Sequence, residues 1–209
     1  MVMDYKKTEK QFYLPKTTPQ VIDIPEMTFL AVAGKGDPNT SEAYAAAIQT
    51  LYGLSYAIRM NKTLPGYFAY VVPPLEGLWT LDDGGAFTGG GQAIVDKGQF
   101  LWTMMIRQPN FVTPEIFENA KQVLAKKKPQ LDLSAVRLEK LTEGLCAQVM
   151  HIGPYDDEPA TIVTLSEFVK ASGYQEDLAG HRRHHEIYLS DPRKTAPEKL
   201  KTVIRHPIK

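Results

Sequence analysis

The sequence predicts an α+β protein in which the order βαββ occurs twice, with antiparallel sheets that carry their helices on one side. Three observations lead there. A strand at 27–34 is followed by a Gly/Asp/Pro turn, a helix and later strands, and a strand at 145–152 opens a second succession of the same kind. A sharply delimited helix at 113–128 lies between the two. The chain of 209 residues is 43% apolar and 10% aromatic, enough to build a core. The expected organisation is one domain over 1–209, with a first repeat at about 21–107, the connecting helix at 113–128 and a second repeat at about 136–206. Duplicated units of this kind leave one sheet face needing a purpose or a cover, and the interface between repeats is a natural cleft.

After a polar lead, "MTFLAVAG" reads as the first strand, and "GKGDPNTS" carries turn chemistry into a helix capped by Thr40 or Ser41. Tyr44, Ile48, Leu51, Tyr52, Ser55 and Ile58 recur at helical spacing, and all but Ser55 form an apolar stripe that ends near Asn61. "GYFAYVVPPLEGLWTL" (66–81) reads as two extended pieces broken at Pro73-Pro74, and "QFLWTMMIRQP" (99–109) as another strand. In 113–128 a Thr cap, a Pro at the first helical position and terminal lysines all agree with helix polarity. "VRLEKL" and "LCAQVMHIG" suggest a hairpin. The helix that follows has an acidic first turn and places Ile162, Leu165 and Val169 on one face; strands "HEIYLS" and "KTVIRHP" close the chain.

Composition excludes several classes of function. Lys plus Arg and Asp plus Glu both number 24, so no bulk positive field exists to hold nucleic acid or an anionic membrane. No apolar run approaches the roughly 20 residues of a membrane helix. The single cysteine, Cys146, cannot form an internal disulfide, and the N-terminus has no apolar signal region, so a reducing cytoplasm is expected.

Motif searches narrow the chemistry. "DDGGAFTGGGQ" has Gly85 and Gly90 at phosphate-loop spacing, but Gly91-Gln92 follows where Lys-Ser/Thr is required, leaving a hairpin loop at 83–92. "HRRHH" has the look of a metal tract, yet His184 and His185 point to opposite faces of a strand and no second Cys/His cluster exists, so a solvated strand entrance is the simpler reading. No metal and no cofactor are expected. Cys146 with His151 suggests a thiol nucleophile, against the plainer reading of a small buried hydrophobe. What remains is a set of aromatic residues around a few carboxylates: Tyr67, Phe68, Tyr70, Trp79, Phe100 and Trp102 in the first half, Tyr155 and Tyr188 in the second. Buried tyrosine and tryptophan need polar partners, so this density suits the walls of a cavity for flat ligands. Within the strand from His185 to Leu189, Glu186 shares a face with Tyr188. That face is either solvated or lines the cavity.

"PPLEGLW" (73–79), "HIGPY" (151–155) and "EIYLSDPRK" (186–194) resemble the GyrI-like small-molecule-binding family, particularly its stand-alone bacterial members, over about residues 20–206. The resemblance implies a pseudo-twofold pair of βαββ units of SHS2 type, with a central groove for bulky, aromatic, often cationic compounds. It implies a ligand-facing glutamate on the last strand but one, here Glu186. Some stand-alone members hydrolyse the strained cyclopropane of DNA-alkylating cyclopropanoid natural products, a detoxification that implies an enzyme here; a binding protein that sequesters aromatic or cationic drugs is the alternative. Contact with a topoisomerase follows only from one branch of the family. In the hydrolytic reading Glu186 activates water, the Tyr155 hydroxyl is the donor to the developing oxyanion, and Phe68, Tyr70, Trp79, Trp102 and Tyr188 sandwich the ligand. Partial burial is expected to raise the Glu186 pKa. Glu76 is either a second pocket acid or a cap on the Pro-Pro turn.

Overall fold

The computed structural model describes residues 2–82, 96–180 and 182–209; the 83–92 loop and His181 lie outside them. Two short helical turns, α1 (Tyr5–Thr8) and α2 (Lys10–Tyr13), precede strands β1 (Gln20–Ile24) and β2 (Met27–Lys35), helix α3 (Glu42–Met60), and strands β3 (Leu75–Leu81) and β4 (Phe100–Gln108). After helix α4 (Pro114–Lys127) come β5 (Arg137–Leu141), β6 (Gly144–Ile152), helix α5 (Glu158–Ala171), β7 (His184–Tyr188) and β8 (Lys201–Pro207). The helix starts follow the sequence signals: the side chains of Ser41 and Thr113 accept from Tyr44 N and Ile116 N at 3.2 and 3.3 Å. Among the described residues no helix is long and apolar enough to cross a membrane.

The eight described strands form one antiparallel sheet in the order β1-β6-β8-β7-β3-β4-β2-β5. Exchanging each strand of the first unit with its counterpart in the second maps this order onto its own reverse, which is the pseudo-twofold. β1 lies on one edge, yet only Pro25 and Glu26 separate it from β2, next to the other edge. Three peptide units span at most roughly 11 Å, so the sheet must curl until its edges approach. The enclosed side is filled by Ile24, Met27, Phe29, Ala31, Leu78, Met105 and Cys146.

Two sequence readings change. β5 and β6 are not a hairpin: β5 pairs with β2, whereas β6 pairs with β1 and β8. The chain turns through Thr142, Glu143 and Gly144 (φ +65°) from one edge to the strand beside the opposite edge. Residues 66–74 form no strand beyond one bridge from Tyr70 to Met3. Pro73 and Pro74 offer no N–H to a ladder, and the aromatic side chains of this stretch instead pack with the N-terminal turns, where Tyr5, Tyr13 and Tyr70 are buried together.

Among the described residues, helices cover the outer face on either side of its middle. α3 packs on β2 and β4, burying Leu51, Leu54 and Ile58 against Leu30, Met104 and Ile106, and α4 packs on α3. α5 packs on β6, burying Ile162, Leu165 and Val169. Each such aliphatic side chain contributes about 1.5–3 kcal/mol. Among the described residues no helix packs on the middle pair of strands, β3 and β7, and a trough runs between α3 and α5.

Candidate functional site

The uncovered middle of the sheet is the floor of a groove of about 2600 Å³. Cross-strand register decides what faces it. Directly paired residues share a face, so the pairs Leu75 with Tyr188, Gly77 with Glu186 and Trp79 with His184 all face the helix side, where Gly77 leaves its space open. α3 contributes Tyr44, α5 contributes Glu158 and Ile162, and the turn before α5 contributes Tyr155 at the rim.

Glu186 sits in this floor with 12% of its side chain exposed. Oε1 meets His184 Nε2 at 2.9 Å, and Oε2 accepts from the Tyr188 hydroxyl at 2.6 Å. The Tyr188 oxygen in turn accepts from Trp79 Nε1 at 3.0 Å. Gly77 makes this arrangement possible, since a Cβ there would stand 2.7 Å from Trp79 Nε1 and 3.1 Å from the Tyr188 hydroxyl. The second carboxyl is Glu158, 5% exposed, in contact with Glu186.

The two acids are driven apart electrostatically. Burial, the Glu186 charge and the contact with Glu186 push Glu158 well above the usual carboxylate range, so it keeps its proton. Burial also works upward on Glu186, but hydrogen bonds from His184, Tyr188 and Glu158 outweigh it and hold the group below its ordinary value. This reverses the expectation of a raised Glu186 pKa: its own strand supplies one donor to each carboxylate oxygen that burial deprives of water, and α5 adds Glu158. The pair therefore gives up its first proton from Glu186 and holds the second on Glu158 to higher pH.

Aromatic groups surround the pair. Tyr44 packs edge-on against Trp102 (5.2 Å between centroids) and beside Trp79 (6.1 Å), and Phe100 meets Trp79 edge-on at 5.7 Å. Tyr155 stands edge-on to Tyr188 at 5.9 Å, 38% exposed, its hydroxyl pushed up to about 12 by burial and the nearby carboxylates. Of the predicted residues, the structure thus brings together Glu186, Tyr188, Trp79 and Tyr155, with Trp102 packed beneath Tyr44 and only 1% exposed.

Three predicted residues lie elsewhere. Tyr70 is buried behind the sheet against Tyr5, Tyr13, Met150 and Ile187. Phe68 is 38% exposed and packs edge-on against Phe111 and Tyr70. Glu76 pairs with Ile187 and so points into the enclosed side. There it meets His185 Nε2 at 3.0 Å and Tyr13 at 3.4 Å, neither a groove acid nor a turn cap. It belongs to a buried network in which Glu143 bonds His185 at 2.9 Å and Arg205 at 2.8 Å. Partner charges outweigh burial here, lowering Glu143 to about 2 and raising His185 to about 9.

The histidine tract is therefore no solvated strand entrance: His184 and His185 are 1% and 0% exposed and serve opposite faces. Among the described residues no group of three or more His, Cys, Asp or Glu is disposed to hold a metal ion. Cys146 is buried, its thiol raised to about 12, and His151 bonds Thr161 and the Pro154 carbonyl instead.

Sequence reasoning missed Glu158, although a signal was present. Glu158, Ile162, Leu165 and Val169 fall at i, i+4, i+7 and i+11, so the buried stripe of α5 extends back to the glutamate. Tyr44 was legible as part of a helical stripe, but the stripe alone does not separate core from groove wall.

Residues 101–209 match the profile of the GyrI-like small molecule binding domain. A crystal structure of an uncharacterized conserved protein from Listeria innocua is 47% identical with a TM-score of 0.91, covering 99% of this chain and all of that one. A second, of a hydrolase from Listeria innocua, is 45% identical with a TM-score of 0.89 and covers 99% and 100% of the two chains. The C-terminal domain of EcmrR shares the fold at 14% identity, with a TM-score of 0.53 over 92% of this chain and 97% of that one. No curated protein matches.

Proposed function

The chain belongs to the GyrI-like small-molecule-binding family, and from that premise we propose that it takes flat aromatic molecules into the groove and hydrolyses the cyclopropane of cyclopropanoid DNA-alkylating natural products. The observation that carries the reading is the ionised Glu186 at the base of an aromatic-walled recess. The hydrolase from Listeria innocua, similar over nearly the whole chain, supports a hydrolytic role.

In a cyclopropane conjugated to a dienone, water attacks the methylene carbon, the strained C–C bond breaks, and its electron pair moves through the ring to the carbonyl oxygen. Glu186 takes the proton of the attacking water. The new oxyanion receives a proton from a donor at the opposite end of the ligand, the role assigned to Tyr155, which is replenished from solvent. Glu158 stays protonated and keeps a second negative charge away from the attacking water. Trp79, Tyr188 and Tyr44 hold the flat rings.

A second reading is binding without turnover. The lowered pKa of Glu186 favours it, because a weaker base gains less in proton transfer while an ionised carboxylate among aromatic rings attracts cationic drugs. Incubating the protein with a spirocyclopropyl dienone and following the ring-opened alcohol separates the two. Glu186→Gln is expected to slow opening by roughly 10²- to 10⁴-fold while neutral aromatic ligands still bind; an unchanged rate would end the assignment.

A further inference from the structure

Glu186 is the first member of a file of side chains that runs along the outer sheet face beneath α5. His184 Nε2 meets Glu186 Oε1 at 2.9 Å, His184 Nδ1 meets His206 Nε2 at 2.7 Å, and His206 Nδ1 meets Glu176 Oε1 at 2.6 Å. Ser166 on α5 donates to the same Glu176 oxygen at 2.9 Å. Both imidazoles are fully buried, whereas the Glu176 side chain is 18% exposed. The groove, at the N-terminal end of α5, is thereby linked to a partly solvated acid beside the helix's C-terminal half.

Counting protons settles who donates. The file has three contacts and each needs one hydrogen, but two neutral imidazoles carry only two. Glu176 is held below its ordinary range, chiefly by hydrogen bonding to His206 against its own burial, so it accepts. His206 therefore places a proton on Nδ1. Burial and the neighbouring His184 act against a second proton on His206, leaving its Nε2 as an acceptor. With Glu186 ionised, as the proposed function has it, the other two contacts draw their hydrogens from His184.

We propose that Glu176 and His206 are positioning residues that hold His184 as an imidazolium against Glu186, so that the charge of the groove carboxylate is set from the C-terminal half of α5. This rests on Glu186 being the working carboxylate of the groove. The other groups facing it bring no positive charge: the Glu158 carboxyl from α5, the Tyr188 hydroxyl from its own strand, Tyr44 from α3 and Tyr155 at the rim. Among the described side chains around it, the imidazolium is the cation that counters its charge.

The test is ring-nitrogen NMR of the full-length protein at pH 7, with the pH profile of cyclopropane opening alongside. Wild-type His184 is expected to show two protonated ring nitrogens, and His206 one. In Glu176→Gln the amide can donate to His206 Nδ1, which moves the His206 proton to Nε2 and releases one from His184. That variant should lose the imidazolium signature, and the acid limb of kcat/KM should move to higher pH as Glu186 loses its cation; Glu176→Asp should retain both features. A neutral His184 ring in the wild type overturns the proposal, as does an imidazolium that survives Glu176→Gln with the acid limb in place. If the wild type opens no cyclopropane, the hydrolytic reading falls, and the ring-nitrogen spectra alone decide the fate of the file.

Discussion

Trp79 gives its indole N–H to the Tyr188 hydroxyl at 3.0 Å, and that hydroxyl gives its own proton to Glu186 at 2.6 Å. One residue from each unit thus supports the carboxylate from above. Tyr188→Phe removes the middle member, leaving the Trp79 N–H without an acceptor at a cost of about 1–2 kcal/mol in stability. It also removes one of the donors that lower Glu186, so the carboxylate should titrate at higher pH. The Glu186 carboxyl carbon, followed by NMR against pH, is expected to show that upward move.

Glu158→Gln tests the acid of the pair. The folded state raises the Glu158 pKa, so above its unfolded value near 4.5 folding must hold a proton that the unfolded chain has released, and stability falls as pH rises. Glutamine has no such cost and can still donate to Glu186. The variant should gain about 1–2 kcal/mol, roughly 3–6 °C in Tm, at pH 8, and little at pH 4. Thermal melts at the two pH values check it.

His185 sets an alkaline limit. Its folded pKa of about 9 lies above the unfolded value near 6.5, so its contribution is complete below pH 6.5 and is lost as pH rises through 9. Glu143, lowered to about 2, acts in the opposite direction, its contribution complete above pH 4.5 and lost on acidification. Denaturant unfolding between pH 6.5 and 9 should show a decline of roughly 2–4 kcal/mol from the histidine, and His185→Gln should flatten that slope.

Gly77→Ala would place a methyl 2.7 Å from Trp79 Nε1 and 3.2 Å from the Met104 sulfur. Overpacking of this kind costs about 1–3 kcal/mol. Because the displaced groups are Trp79 and Tyr188, the larger effect should fall on the groove, with aromatic ligands bound about tenfold more weakly in a fluorescence titration.

Local signals carried most of the fold. Ser41 and Thr113 mark true helix starts, and the paired successions of strand, helix and strands are both present. Alternation along β7 correctly put Glu186 with Tyr188 and against Ile187, because side-chain period is a backbone property. Which face is the groove is not a local property. Glu76 and Glu186 both sit in strands rich in large apolar residues, and only the register between β3 and β7 shows that they face opposite ways. Tyr70 likewise depends on packing against an N-terminal segment whose apolar residues, Tyr5 and Tyr13, are scattered among charges. The pairing of β5 with β2 rather than β6 rests on curvature of the whole sheet, which no short window contains.

That curvature makes the two units interdependent. β1 is covalently part of the first unit and hydrogen-bonded only to the second, and β5 is exchanged in the opposite sense. A chain cut between the units would give two fragments, each stripped of its own edge and offering a bare ladder to its sister. Such halves should regain structure by clasping one another, so cooperativity in this protein belongs to the pair, and the cleft at their junction forms only when both have closed.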